Sequence, residues 1–137
     1  MTHHTTKIGV VVREDLAVWQ KLNVTAFLIS GIAGVSPDSI GEPYKDASGN
    51  VYHALFGQPV LVYSATAEQL QRMRARAKDR DVQLALYSQE MFQTGNDVDN
   101  RGTVEKLREE ELVIVGLALR AESKVFDKVV AGLKLHS

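Results

Sequence analysis

The stretch Lys7-Ile8-Gly9-Val10-Val11-Val12-Arg13-Glu14-Asp15-Leu16-Ala17-Val18-Trp19-Gln20-Lys21, followed by an uncharged run from Leu22 to Gly34, decides how the chain is read. Lys7 to Arg13 is mostly β-branched and does not alternate with polar residues, the pattern of a strand covered on both faces. From Leu22 to Gly34 apolar or small residues take nearly every helical position, with Asn23, Thr25 and Ser30 the only clearly polar side chains. A helix apolar all round is expected in the interior. The turn between the two segments carries Arg13, Glu14, Asp15 and Lys21 at the C-terminal end of a strand, where open α/β sheets place ligands.

At 137 residues the chain is expected to form one domain, 1–137, burying about two-thirds of the surface its unfolded form exposes. Its 45% hydrophobic and 24% charged residues are those of a soluble globular protein. The absence of cysteine excludes a disulfide framework, a thiolate metal site and a cysteine nucleophile, and suits a reducing cytoplasm, the expected location. A formal net charge of −1 attracts neither nucleic acid nor an anionic membrane. Residues 1–6 are polar and lack an apolar core segment, so they are expected to be a flexible tail and not a secretory signal. His3 and His4 are adjacent, point apart in an extended tail and read as a frayed terminus, not a metal site. The uncharged run to Pro37 is too short to cross a bilayer. No cofactor, metal or membrane partner is expected.

Outward from the first two elements, Val35 to Asn50 is dense in turn formers and reads as a loop. Val51 to Phe56 and Val60 to Tyr63, separated by Gly57-Gln58-Pro59, read as a hairpin or a bent strand with Pro59 at a strand start. Thr66-Ala67-Glu68-Gln69 is a capping box for a helix with Leu70, Met73 and Ala77 as its buried stripe. Val82 to Tyr87 alternates as a strand, and Ser88 to Gly102 is a long connection rich in Asn, Asp and Gly. Connections of that length are uncommon in compact domains unless functional, which makes it the second place of interest. A short helix from Thr103 to Arg108, a doubly buried strand from Leu112 to Leu119 and an amphipathic helix from Ser123 to Leu135 complete the chain. Strands alternating with helices imply an α/β domain, a largely parallel sheet with helices on both faces.

The residues that would carry chemistry fall in two groups. Lys21, at the mouth of the apolar helix, is the candidate acid, base or anion ligand, with Arg13 and Glu14 beside it and Asn23 one turn in. Asn96, Asp97, Asn100 and Arg101 form a downstream hydrogen-bonding set, which an Asx-turn capping a helix near Thr103 would equally explain. Asp97, Asp99 and Gly102 fit part of a calcium loop, but Arg101 and Arg108 stand where ligands belong, which argues against a metal. Arg72, Arg74, Arg76, Lys78 and Arg80 share a helix face diluted by Glu68, Asp79 and Asp81, with no interleaved aromatic residue; a solvated face is preferred over a nucleic-acid site. No nucleophile elbow, P-loop or dinucleotide fingerprint is present.

Lys7 to Leu16, Trp19 to Phe27, Gln58-Pro59-Val60, Phe92 to Asp97 and Asn100-Arg101 together resemble the uncharacterised family catalogued as domain of unknown function 2000, over nearly the whole chain. That family is similar in structure to the second-class, archaeal and eukaryotic-type peptidyl-tRNA hydrolases. The resemblance implies a three-layer α/β/α domain with a small mixed, mostly parallel sheet, often dimeric. Val11-Val12-Arg13-Glu14-Asp15-Leu16 leading to Lys21 looks like the hydrolase strand end and its helix-opening lysine, and Gly132 to Leu135 looks like their C-terminal segment. Where those hydrolases continue with a glutamine and a histidine, this chain has Thr25 and Leu28 or Ile29; their Asp-Ala-Gly-x-Thr-like turn is replaced by Ser88-Gln89-Glu90. Only the lysine carries over. The leading expectation is a pocket for a small polar or anionic ligand, formed by Arg13, Glu14, Lys21 and Asn23 with Asn96, Asp97, Asn100 and Arg101, and Lys21 as the participant in any acid–base or hydrolytic step. The alternatives are a divergent peptidyl-tRNA hydrolase that meets tRNA through Lys21 and the basic helix face, and a non-catalytic homodimeric interaction module.

Overall fold

The computed structural model describes residues 5–137. Strand β1 (Thr6–Arg13) is flanked on both sides and both faces, as its unbroken apolar run requires. Ile8, Val10 and Val12 point to helix α1 (Val18–Val35), while Val11 points to the opposite layer. That layer holds α2 (Ala67–Asp79) and α4 (Ser123–Val129), which press Leu70, Met73, Ala77, Phe126 and Val129 onto the sheet. The paired β1 begins at Thr6, and the Thr5 carbonyl accepts from the Ser123 amide at 2.9 Å, so the expected tail does not reach residues 5 and 6. The His3-His4 reading lies outside the described residues.

The expectation of a mostly parallel sheet is corrected. Strands β4 (Val60–Ala65), β5 (Ala85–Ser88), β6 (Ile114–Glu122) and β7 (Lys134–Leu135) join β1 in the order β5-β6-β1-β4-β7, and only β1 and β4 run parallel. The reason is the segment after β5. It stays at one end of the sheet as a 3-10 turn (Gln89–Gln93) and helix α3 (Asp97–Glu105), and the chain then returns as β6 between β5 and β1, against both. A helix that does not cross the sheet leaves the next strand antiparallel.

Local boundaries also move: β5 begins at Ala85 and not at Val82, and β6 spans Ile114–Glu122 and not Leu112 to Leu119. Val51–Tyr52 (β3) pairs with Tyr44–Lys45 (β2) as a separate small hairpin and not with β4; Phe56 forms an isolated antiparallel bridge with Ile40 and packs against the core under α1. The chain does resume at β4 directly after Pro59. The helix expected at Thr103–Arg108 is α3, which starts six residues earlier on an Asn96 cap. The last helix stops at Val129, and the Lys134–Leu135 segment is strand β7. The α2 capping box forms as read: the Gln69 amide donates to Thr66 Oγ1 at 3.2 Å and the Thr66 amide to Gln69 Oε1 at 2.9 Å.

The largest correction concerns α1. It is an outer-layer helix, buried only through Val24, Leu28 and Ile32, and it leaves Trp19, Leu22, Ala26 and Phe27 exposed. An apolar composition therefore marked a face that stays open, not an interior position.

The β2–β3 hairpin is organised by Asp46. Its carboxylate accepts from the Ser48 and Asn50 amides at 2.9 and 3.0 Å and from the Tyr52 hydroxyl at 2.7 Å. These bonds, the Tyr52 hydroxyl foremost, hold the Asp46 pKa down at about 2 from its ordinary 3.8. A depressed carboxylate contributes order that is complete above its unfolded value and is lost as pH falls through its folded one. The hairpin is thus expected to be intact at pH 5 and to loosen only between about 4 and 2. Tyr52 ring resonances followed by NMR across an acid titration check this; a transition centred above pH 4 would contradict it.

Candidate functional site

A groove of about 840 Å3 opens between α1, the β5 edge and α3. Its aromatic side is built by Trp19 and Phe27 from α1, Tyr87 from β5 and Phe92 from the following turn. Tyr87 lies at the centre, its ring 5.2 Å from Phe92 and 5.8 Å edge-on from Phe27, and Trp19 meets Phe92 at 6.1 Å. These spacings are those of favourable aromatic pairs. Burial raises the Tyr87 phenol above its ordinary range, with the nearby Asn23 side chain acting in the opposite sense.

The polar side comes from Asn23 and from Asn96, Asp97, Asn100 and Arg101. Five of the eight expected site residues therefore do share one hollow. The downstream four are also structural. Asn96 Oδ1 accepts from the Asp99 amide at 2.8 Å and caps α3; Asn100 accepts from the Thr94 hydroxyl; Asp97 and Arg101 pair one helical turn apart. An exposed pair of that kind stabilises the helix only slightly.

The other three residues are elsewhere. Lys21 is not on the groove lining; its ammonium lies 3.3 Å from His136 Nε2, whose backbone amide donates to Val62 O beyond β7. His136 Nδ1 faces the Ser137 carbonyl at 2.9 Å, so it carries the ring hydrogen and leaves Nε2 to accept from Lys21. Lys21 and Asn23 are two residues apart, about 200° around the helix. Asn23 accordingly overhangs the β5 edge and Lys21 the β7 edge, at opposite ends of the sheet order. Arg13 pairs with Asp15 at 2.6 Å, and with Glu14 they line a separate cleft against Thr66 and Glu68 at the start of α2. The single pocket expected from sequence is thus divided into three places.

Sequence reading missed Trp19, Phe27, Tyr87, Met91 and Phe92 as lining residues, and His136 as the partner of Lys21. The only available signal was the lack of charge in α1, which was read as burial. The basic face of α2 is largely engaged at home: Arg74 and Lys78 share Glu109 at 2.8 and 3.1 Å, and Arg76 donates to the Ala131 carbonyl at 2.7 Å. Among the described residues the groove is lined by aromatic stacking surface and amide groups, with Asp97, Arg101 and Glu105 as its charged side chains. Among the described residues no three His, Asp or Glu side chains converge on a metal position, and no helix is long and apolar enough to cross a membrane.

No curated protein matches the chain closely enough to lend it an activity. A solved structure of a protein of unknown function from Agrobacterium tumefaciens str. C58 is similar at 47% identity and a TM-score of 0.96, covering 98% of this chain and 100% of that one. A family model described as protein of unknown function (DUF2000) matches residues 6–137, and the chain belongs to that family.

Proposed function

We propose that this chain is a binding protein for a small ligand with a flat apolar body and an amide-bearing or otherwise polar end, held in the groove between α1, β5 and α3. The observation that supports this most is the pairing of four aromatic side chains with Asn23 and the Asn96–Arg101 segment around one open hollow. Its size lies within the range of about 300–1,000 Å3 common to ligand sites. An anionic ligand is less well matched, because Arg101 is shared with Asp97 and Glu105 also lines the groove. Trp19 is the chain's only tryptophan and stands on the rim with 63% of its surface exposed, so its emission reports occupancy directly. Titration with a fragment set of aromatic amides is expected to shift Trp19 emission to shorter wavelength. Phe92→Ala and Asn23→Ala should each weaken the affinity about tenfold, the usual weight of a well-placed contact. Uniform silence from the fragment set, with no change in emission or melting temperature, would end the proposal.

A second reading is that of a divergent peptidyl-tRNA hydrolase, and the Lys21–His136 contact favours it: an ammonium 3.3 Å from an imidazole nitrogen is an arrangement through which a proton can pass. On that reading the wild-type chain releases tRNA from peptidyl-tRNA, and Lys21→Ala abolishes the release. Absence of turnover by the wild type removes it.

A further inference from the structure

The groove runs along an open sheet edge. Among the described residues β5 is a terminal strand, paired with β6 on one side only. Ala85, Leu86 and Tyr87 all line the groove, although successive strand residues point to opposite faces. Ala85 and Tyr87 pack under α1, and Leu86 packs into the α2–α4 layer. A hollow on the α1 side reaches all three only where it follows the strand's backbone edge.

An edge strand presents N–H and C=O groups without partners in its own sheet, and sheets ordinarily blunt such edges with charge, proline, extreme shortness, a bulge or a covering segment. The opposite edge obeys this rule: β7 is two residues long and begins with Lys134. β5 does not. Its residues Ala85, Leu86 and Tyr87, with neither charge nor proline, face a hollow bounded by apolar rings, and the buried Ser88 ends the edge with its amide donated to Met91 Sδ at 3.3 Å.

Resting on the ligand-binding reading above, we infer that the occupant of the groove is a short extended peptide that hydrogen-bonds to β5 and extends the sheet by one strand. At about 3.3 Å per residue the three groove-lining residues of β5 offer an edge of about 10 Å, which matches about three residues of added strand. Main-chain bonds to the edge supply affinity, and alternate side chains of the peptide fall toward the Phe27–Tyr87–Phe92 rings and supply selectivity. Asn23 and Asn100 flank this path with groups able to pair with peptide amides. Of the three charged side chains on the lining, Asp97 and Glu105 are acids and Arg101 is a base, so peptides with a basic residue are preferred.

The test uses the full chain and pools of N-acetylated pentapeptide amides of randomised sequence, unmodified or N-methylated at odd or at even positions. Trp19 emission and the amide NMR signals of Ala85 to Ser88 are the readouts. Unmodified peptides are expected to move both. One of the two N-methylated pools should lose about tenfold or more in affinity, through removal of hydrogen bonds of ordinary net strength. Gly31→Gln blocks the path from α1: a Cβ at Gly31 would sit 3.4 Å from Ala85 Cβ, and the longer side chain overhangs the edge. This variant should weaken peptide binding while its melting temperature stays level or rises, since a helical glycine is replaced. Equal binding of all three pools overturns the added strand. If aromatic amides bind and peptides do not, the peptide inference fails and the groove reading stands. If neither moves Trp19 nor the β5 signals, both fail.

Discussion

Phe126→Ala is expected to lower the unfolding free energy by about 3–5 kcal/mol, a large share of the roughly 5–15 kcal/mol that holds a domain together. Phe126 is fully buried, and its ring lies against β1 at the one place where that strand has no side chain. A Cβ placed on Gly9 would come within 2.6 Å of Phe126 Cζ. Tyr63 packs beside the ring at 6.4 Å between centroids, and Val129 is the other fully buried side chain of α4, a helix of only seven residues. Removing the ring leaves a cavity lined by β1, β4 and β6 that the surrounding strands cannot close. The same geometry predicts a coupling. Gly9→Ala alone overpacks the layer and costs about 1–3 kcal/mol, whereas in the Phe126→Ala background the added methyl enters the vacated space. The double variant should be more stable than the sum of the singles by at least about 1 kcal/mol in urea denaturation. Strict additivity would show that the two residues do not share the site described.

Gly116→Ala is the second large effect, and it joins stability to the groove. A Cβ on Gly116 would lie 2.5 Å from Val24 Cγ1 and 2.9 Å from Leu28 Cδ1, with the Val11 carbonyl oxygen behind it at 3.3 Å. Backbone on one side and two locked core side chains on the other leave little room to yield, so α1 has to lift from the sheet at a cost of about 1–3 kcal/mol. Because Trp19, Asn23 and Phe27 ride on the same helix, the lift is expected to alter Trp19 emission as well as the denaturation midpoint. A destabilised variant with an unchanged Trp19 spectrum would mean that strain is absorbed in β6, and the coupling of core to groove would be wrong.

Much of the secondary structure was legible because its causes lie within a few residues. The β-branched run of β1, the Thr66–Gln69 box and the Leu70, Met73, Ala77 stripe of α2 appear in the structure at the expected positions, and β6 is displaced by only two or three residues. The α3 helix was hidden because Asn, Asp and Gly compose loops more often than helices. What overrides that composition is a set of local ties: the Asn96 cap, the Asp97–Arg101 pair, and Thr103 donating to the Asn100 carbonyl at 2.9 Å. Of the candidate site, Asn23 and the Asn96–Arg101 segment were brought together as expected, while Lys21, Arg13 and Glu14 were not.

The sequence by itself determined which segments are buried on two faces, where α2 begins, and that α1 carries no charge beyond Lys21; each depends on neighbours a few residues away. Only the tertiary structure decided strand direction, which edge of the sheet stays open, and which flank of α1 each polar residue overhangs. Those are set by contacts between segments far apart in the chain, such as β5 against β6 and Lys21 against His136. Lys21 and Asn23 make the physical reason concrete: proximity in sequence placed them together, and the helical rotation of about 100° per residue sent them to opposite edges of the sheet.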